Sequence, residues 1–256
     1  MKIVFLYEGP HFVHATWAAS INAKFIPNYL SGYKIGSSWI LRIIKIFLSI
    51  LTLRKIPKDT DLLLIEGGTG FITGFLFKKF RKKKVILIVS DPLFYFFKKI
   101  KFFGKLGYFL TKDFDGFIAT SSLMAKLIPF NNKKIVYPFC DLEKFLKIRP
   151  SLDSKNLIYL GILNKQKGVD KLIRLFSEIN KIEPDSKLFL IGKDPKKKLK
   201  SIRSQKIIVK GFVSKPEKYF KKSSIFVNMS RFEPFGVSTL ESIAAGLVPI
   251  ISFQVG

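Results

Sequence analysis

The sequence predicts an α/β protein made of two doubly wound halves. Three observations predict it. Short apolar runs of strand length recur along the chain, with helix-length stretches between them. The runs lack the polar alternation of a half-solvated strand, so each is expected to lie in a parallel sheet covered on both faces. The pattern is interrupted once, between Phe139 and Lys155, where Pro150, Ser151, Asp153 and Ser154 gather as a hinge. The domains are therefore expected at 1–150 and 151–256, each Rossmann-like, with a cleft between them.

The expected strands of the first half are Ile3–Tyr7, Leu62–Glu66, Val85–Ser90, Gly116–Thr120 and Ile135–Tyr137, all rich in Val, Ile or Phe. Those of the second are Leu157–Leu160, Lys187–Ile191, Ile207–Lys210, Ile225–Asn228 and Val248–Ser252. Helices are expected at Val169–Lys181 and Val237–Ala245. In the first of these, Leu172, Leu175, Phe176 and Ile179 repeat at i, i+3, i+4, i+7 and make one apolar face. The second half is expected to be incomplete, because its last strand has no further helix to cover it.

Composition narrows the class. Hydrophobic residues make up 48% of 256, and 17 Gly with 12 Pro are too few for a disordered or collagenous chain. A single cysteine, Cys140, excludes a disulfide framework and a cysteine-rich zinc site, and fits a reducing cytoplasm. The net charge of +27 favours polyanionic partners: anionic lipid, nucleic acid or phosphorylated small molecules. The same excess of Lys beside Ile and Phe also reads as plain compositional bias. No apolar stretch reaches the roughly 18 residues of a membrane span. The most apolar window, Trp39–Leu53, carries Arg42 and Lys45. Met1–Tyr7 reads as a strand and not as a signal peptide. The chain is expected to be cytoplasmic, or peripheral at the inner membrane face.

The stretch Asn228–Ser252 carries the chemistry. A strand ends near Asn228, and a loop holds Ser230, Arg231, Phe232 and Glu233. Pro234, Phe235 and Gly236 then lead into a helix. First-turn amides near Gly236, Val237 and Ser238 have no intrahelical partner and carry the positive end of the macrodipole, which suits a phosphate. Ser238 and Thr239 add hydroxyl donors. Glu241, about one turn further in, is placed to accept hydrogen bonds from ribose hydroxyls. Taken singly, Glu233 and Glu241 read as solvated residues of a capped surface helix.

The string E-P-F-G-V-S-T-L-E-S-I-A-A-G-L-V-P-I-I-S from Glu233 to Ser252 resembles the signature of GT-B retaining glycosyltransferases of family four, with an E-x7-E motif from Glu233 to Glu241. The resemblance implies a nucleotide-diphosphate-sugar donor, with Glu233 contacting the sugar, Glu241 the ribose, and amides after Phe235 the diphosphate. Gly161–Gly168, GILNKQKG, resembles the family's G-R-L-x-x-x-K-G loop, which gives Lys167 to the diphosphate. Ile162 stands where that loop has Arg, removing a bidentate phosphate contact. Lys165 offers a point charge in its place, without the fork. Leu188–Gly192, Lys210–Val213 and Val136–Phe145, with Asp141 and Phe145 in place, resemble further family passages. Cys140 replaces a small hydrophobe there, which implies a structural role.

The acceptor side is expected at the carboxyl ends of the first-half strands. Glu8-Gly9-Pro10-His11-Phe12-Val13-His14 follows the first strand with a single Gly. His11 and His14 are spaced for a metal pair, but no carboxylate or Cys completes it in sequence, so no metal is expected. Asp91, where the family often has His, reads either as orienting an acceptor hydroxyl or as capping the next helix. Glu66–Gly70 is a Gly-rich strand end without the G-K-[ST] of a P-loop. Phe94–Leu110, FYFFKKIKFFGKLGYFL, interleaves Lys with aromatics. It reads as an interfacial helix for anionic lipid, as a buried helix with a lysine face, or, in third place, as a nucleic-acid platform.

The activity expected from the resemblance is metal-independent retaining transfer of a hexose to a glycan or lipid-linked acceptor hydroxyl. The alternative is a fragmentary or non-catalytic GT-B-like protein that binds anionic ligands or membrane.

Overall fold

The computed structural model describes residues 1–9, 12–29, 44, 46–195, 199, 202 and 204–256. The chain divides into two compact units, Met1–Phe139 and Cys140–Gly256. This boundary lies ahead of the 150/151 position expected from composition. The reason is packing: Phe145 and Ile148 are buried in the core that holds Ile158, Phe189 and Phe226, so the segment before the polar hinge folds with the second unit.

Unit one runs β1 (Ile3–Tyr7), α1 (Phe12–Ser20), β2 (Lys24–Pro27), β3 (Leu62–Glu66), α2 (Phe71–Arg81), β4 (Lys84–Val89), α3 (Leu93–Lys99), α4 (Lys101–Thr111), β5 (Gly116–Ala119), α5 (Ser122–Leu127) and β6 (Lys133–Ile135). Its sheet is parallel, in the order β2-β1-β3-β4-β5-β6. Unit two runs α6 (Glu143–Leu146), β7 (Leu157–Leu160), α7 (Val169–Ile182), β8 (Leu188–Ile191), β9 (Ile207–Gly211), α8 (Glu217–Phe220), β10 (Ile225–Asn228), α9 (Val237–Ala244) and β11 (Val248–Ile251). Its parallel order is β11-β10-β7-β8-β9. Both sheets are doubly wound, and each reverses winding direction once: between β1 and β3, and between β7 and β10.

The unalternating strands have the expected cause. In unit two, Ile158, Phe189, Ile191 and Phe226 enter one buried cluster, while Leu157, Tyr159, Leu188, Leu190 and Val227 enter another. Alternate residues face opposite sides, and both sides are covered. Unit one repeats this with Phe5, Leu62, Leu64 and Ile88 packed around Ala18.

Three elements differ from the sequence expectation. β2 is an unforeseen strand of four residues ending in Pro27, admissible because it lies at the sheet edge, where no partner needs that missing N–H. β6 is Lys133–Ile135 and not Ile135–Tyr137. As an edge strand it tolerates Lys133 and Lys134, and Val136 and Tyr137 lie exposed beyond it. Phe94–Leu110 is two helices and not one, broken at Ile100, whose φ of −107° and ψ of 89° leave the helical region.

Candidate functional site

The carboxyl ends of β7 and β10 flank the switch point of unit two, where ligands of doubly wound sheets bind. The loop after β7 (161–168) and the loop after β10 (229–236) are tied together there. Lys167 Nζ lies 2.5 Å from Glu233 Oε2. The Lys167 N–H donates to Asn164 Oδ1 at 2.9 Å. Arg231 grips Asp170 with both guanidinium nitrogens, at 2.7 and 2.8 Å, and its N–H donates to the Gln166 carbonyl at 2.9 Å. That fork holds the Asp170 carboxyl down at about 2. Arg231 is therefore committed to Asp170 and does not replace the arginine absent at Ile162, whose side chain is exposed.

The loops meet backbone to backbone. Gly168 begins α7 with φ of +71°, and a Cβ there would lie 1.9 Å from the Met229 carbonyl oxygen. Neither the conformation nor the space admits a side chain. Gly168→Ala is expected to lower the unfolding free energy by about 3 kcal/mol, read by urea denaturation. A midpoint equal to that of the unsubstituted chain would refute this contact.

Glu233 is held through its backbone. Its N–H donates to the Gln254 carbonyl at 2.8 Å, and its own carbonyl accepts from Gly256 at 2.9 Å. Gly236, with φ of +80°, is the N-cap of α9, and the Thr239 N–H donates to its carbonyl at 2.9 Å. Behind this turn, buried Asn228 accepts from the Ser230 N–H and hydroxyl and reaches Thr239 Oγ1 at 3.4 Å. The first turn thus presents Gly236, Val237 and the half-buried Ser238 from a fixed base.

Glu241 points to another neighbourhood within the same unit. Burial pushes its carboxyl up to about 7, against the charge of Lys144 and together with that of Glu217. Cys140 feels the Glu241 charge as well, though burial is the larger cause of its raised thiol pKa. Lys165 is exposed, and its carbonyl accepts from the Arg231 guanidinium. Gly161 closes β7, and its N–H donates to the Ile191 carbonyl at 2.9 Å. The structure therefore joins Lys167 with Glu233 and places Glu241 against α6. Tyr159 was not foreseen: its hydroxyl donates to the Ile162 carbonyl at 3.2 Å, and its pKa is raised by burial first and by the Glu233 charge second. Its apolar flanks, Ile158 and Leu160, disguise it as a strand residue.

Unit one carries a second polar cluster at its own switch point. Buried Glu66 ends β3 and accepts from the Ser90 hydroxyl and, at 3.4 Å, from the Glu8 N–H. His14 Nε2 lies 3.6 Å from Glu66 Oε1, so a carboxylate does stand beside this histidine, contrary to the sequence expectation. Residues far apart in the chain meet because β1 and β3 are neighbours. Burial lowers the His14 pKa, opposed by a hydrogen bond with the Gly9 backbone. His11 lies outside the described residues, and Gly9 borders open space. Asp91 accepts from the Gly68 N–H at 2.8 Å and the Leu93 N–H at 3.2 Å. It thus ties the turn into the following helix, whose N-cap is Pro92, to the loop after β3. Burial pushes its carboxyl up to about 6, with the Gly68 bond opposing and the charges of Glu66 and Glu8 adding. Among the described residues, no three His, Cys, Asp or Glu side chains are placed to hold a metal ion.

Two parallel doubly wound sheets, each with polar side chains gathered at its switch point, match a GT-B fold. Solved structures agree. The chain matches sucrose-phosphate synthase from Thermosynechococcus elongatus with a TM-score of 0.75 at 12% identity, over 100% of this chain and 82% of that one. It matches Anabaena HepE in complex with UDP and glucose with a TM-score of 0.69 at 14% identity, over 100% and 82%. Residues 142–256, nearly the whole of the second unit, match the family model for glycosyl transferases group 1. An uncharacterized glycosyltransferase of Methanocaldococcus jannaschii is 33% identical over 41% of this chain and 28% of its own length. Mannosylfructose-phosphate synthase of Agrobacterium fabrum is 27% identical over 47% and 30%. A GDP-mannose:cellobiosyl-diphosphopolyprenol alpha-mannosyltransferase of Xanthomonas oryzae is 23% identical over 53% and 39%. The chain thus spans well under half the length of these relatives.

Proposed function

We propose that this chain carries out retaining transfer of a hexose from a nucleotide-diphosphate sugar to an acceptor hydroxyl. The observation that carries the proposal is the Lys167–Glu233 pair, at the switch point of the unit that matches the glycosyltransferase family. A diphosphate entering there takes the Lys167 ammonium and the first-turn amides of α9 at Gly236, Val237 and Ser238. Glu233, released from Lys167, faces the donor sugar, and Glu241 receives the ribose hydroxyls. Charge developing on the leaving diphosphate is met by this fixed positive potential, so the proposal calls for no metal ion. Lys165 and Phe235 border the donor, and Gly161 gives it backbone access. In unit one, Asp91 orients the acceptor hydroxyl, with Gly9, His11 and His14 lining the acceptor side. The Xanthomonas relative, named for a diphosphopolyprenol acceptor, supports a lipid-linked or glycan acceptor here.

The Ile162 substitution favours one other reading: donor binding without turnover. A thermal-stability series with UDP, GDP, ADP and their sugar conjugates tests both. One nucleotide is expected to add about 2.7 kcal/mol of stability at 100 times its dissociation constant. Release of nucleoside diphosphate from the stabilising conjugate supports transfer. Stabilisation without release supports binding alone, and no stabilisation by any of them defeats both readings.

A further inference from the structure

Helix α4 is amphipathic with its large apolar residues on the outside. Its inner face is Gly104, Gly107 and Thr111, with Tyr108 half-buried against Phe94 and Phe97. A Cβ on Gly104 would lie 1.9 Å from the Phe97 carbonyl oxygen, and one on Gly107 would lie 2.2 Å from the Phe97 ring. The helix is thereby pressed onto α3. The outer face, at i, i+4 and i+7, is Phe102, Leu106 and Phe109, exposed by 84%, 41% and 56%. Phe96 and Ile100 extend it across the break between the helices, at 40% and 48%. Phe94 and Phe97 are buried, so the aromatic stretch divides into core residues and surface residues.

Cations rim this face. Lys98, Lys99, Lys105 and Lys112 are exposed. Lys99 Nζ lies 4.8 Å from the Tyr95 ring centroid, and Lys112 Nζ lies 4.8 Å from that of Phe109. Their stems follow aromatic surface while the ammonium groups stay at its edge. From Gly67 to Asp115 the sequence has eleven Lys and Arg against three acidic residues, Asp91, Asp113 and Asp115. A groove of about 300 Å³, lined by Phe75, Lys78, Phe109, Leu110, Phe114 and the acidic Asp113 among others, continues the apolar surface toward α2. Among the described residues no helix is long and apolar enough to cross a membrane.

We infer that the outer face of α4, with the end of α3, docks on an anionic lipid bilayer. Phe102, Leu106 and Phe109 enter the headgroup–acyl boundary, and the lysine rim contacts lipid phosphates. Charge complementarity selects this occupant. A symmetric pairing of two copies would set the lysine rim against itself. Nucleic acid would satisfy the lysines but not the aliphatic centre at Leu106. The inference does not depend on the proposed transferase activity.

The test is co-sedimentation of the chain with vesicles of phosphatidylglycerol and phosphatidylcholine, and of phosphatidylcholine alone, at low and high salt. Partitioning is expected to be at least about tenfold stronger on the anionic vesicles, and to be weakened but not abolished by salt. Phe102→Ser/Leu106→Ser/Phe109→Ser should lose at least about tenfold on anionic vesicles with its melting temperature kept. Lys98→Glu/Lys99→Glu/Lys105→Glu should lose the lipid preference. Leu106→Trp gives a reading that does not depend on a binding loss: its fluorescence should shift to the blue on anionic vesicles. Equal partitioning of the parent and the serine variant, or no shift for Leu106→Trp, would overturn the inference. So would a self-association or single-stranded DNA binding that the serine variant abolishes while vesicles fail to bind the parent.

Discussion

Replacing Lys167 with alanine is expected to weaken nucleotide-diphosphate binding by about two orders of magnitude. A charge-assisted hydrogen bond from an ammonium to phosphate contributes about 1.5–3 kcal/mol, and the Lys167 side chain is only 21% exposed. The substitution also strips Glu233 of its partner, leaving a carboxylate at the mouth of the diphosphate site. Repulsion between that carboxylate and the ligand adds to the loss. Lys167→Ala/Glu233→Gln should therefore recover about tenfold of the affinity, a coupling that a double-mutant cycle measures directly. Without ligand, the cost of breaking the pair should be about 1–2 kcal/mol, between the values for exposed and fully buried pairs. Calorimetric titration of the stabilising nucleotide reads the first effect, and urea denaturation the second. Undiminished affinity in Lys167→Ala would remove the diphosphate from this loop and with it the donor site as proposed.

How far sequence reaches depends on what each feature requires. Central strands such as β3 and β8 are legible because burial on both faces demands uninterrupted apolar residues. The edge strands β2 and β6 are covered less and so are less constrained: Pro27 and Lys133 obscure them. The domain boundary was displaced because polar composition marks a hinge only where the chain is exposed, whereas Phe145 commits its segment to the second core. Lys167 and Glu233 are legible from separate motifs. Their ion pair is not, since it depends on β7 and β10 being adjacent in the sheet despite the strands and helices between them in sequence. The same holds for Glu8, Glu66 and His14, which meet through the pairing of β1 with β3. The commitment of Arg231 to Asp170 had one signal, an arginine two positions before Glu233, but sequence gave no means of naming its partner.

Glu241 should give stability and donor affinity opposite dependences on pH. Its carboxyl titrates near 7 in the folded chain, against an ordinary value of 4.5, because burial disfavours the charged form. Between those values the folded chain holds a proton that the unfolded chain has released. Stability must then fall as pH rises from about 4.5 to about 7, and level off above. With the partial exposure of this group discounted, the change is about 1–2 kcal/mol. Asp91, near 6 against 3.8, contributes a fall of the same sign at lower pH. Glu241→Gln should abolish the upper part of the decline and leave the Asp91 part, so that above pH 7 the variant is more stable than the parent. Donor binding should run the other way. Ribose hydroxyls donate more strongly to a carboxylate than to a carboxylic acid, so affinity should rise from pH 6 to pH 8 as Glu241 ionises. A ligand that selects the ionised form must also expel the proton, which calorimetry in buffers of different ionisation enthalpy would detect as proton release below pH 7. In Glu241→Gln the affinity should be lower and flat with pH, and the release absent. If the variant keeps the full pH decline in stability, the titration belongs to another group. If it keeps the pH-dependent affinity, the ribose is bound elsewhere. The two readings are separable because the first needs only the folded chain and the second needs the nucleotide.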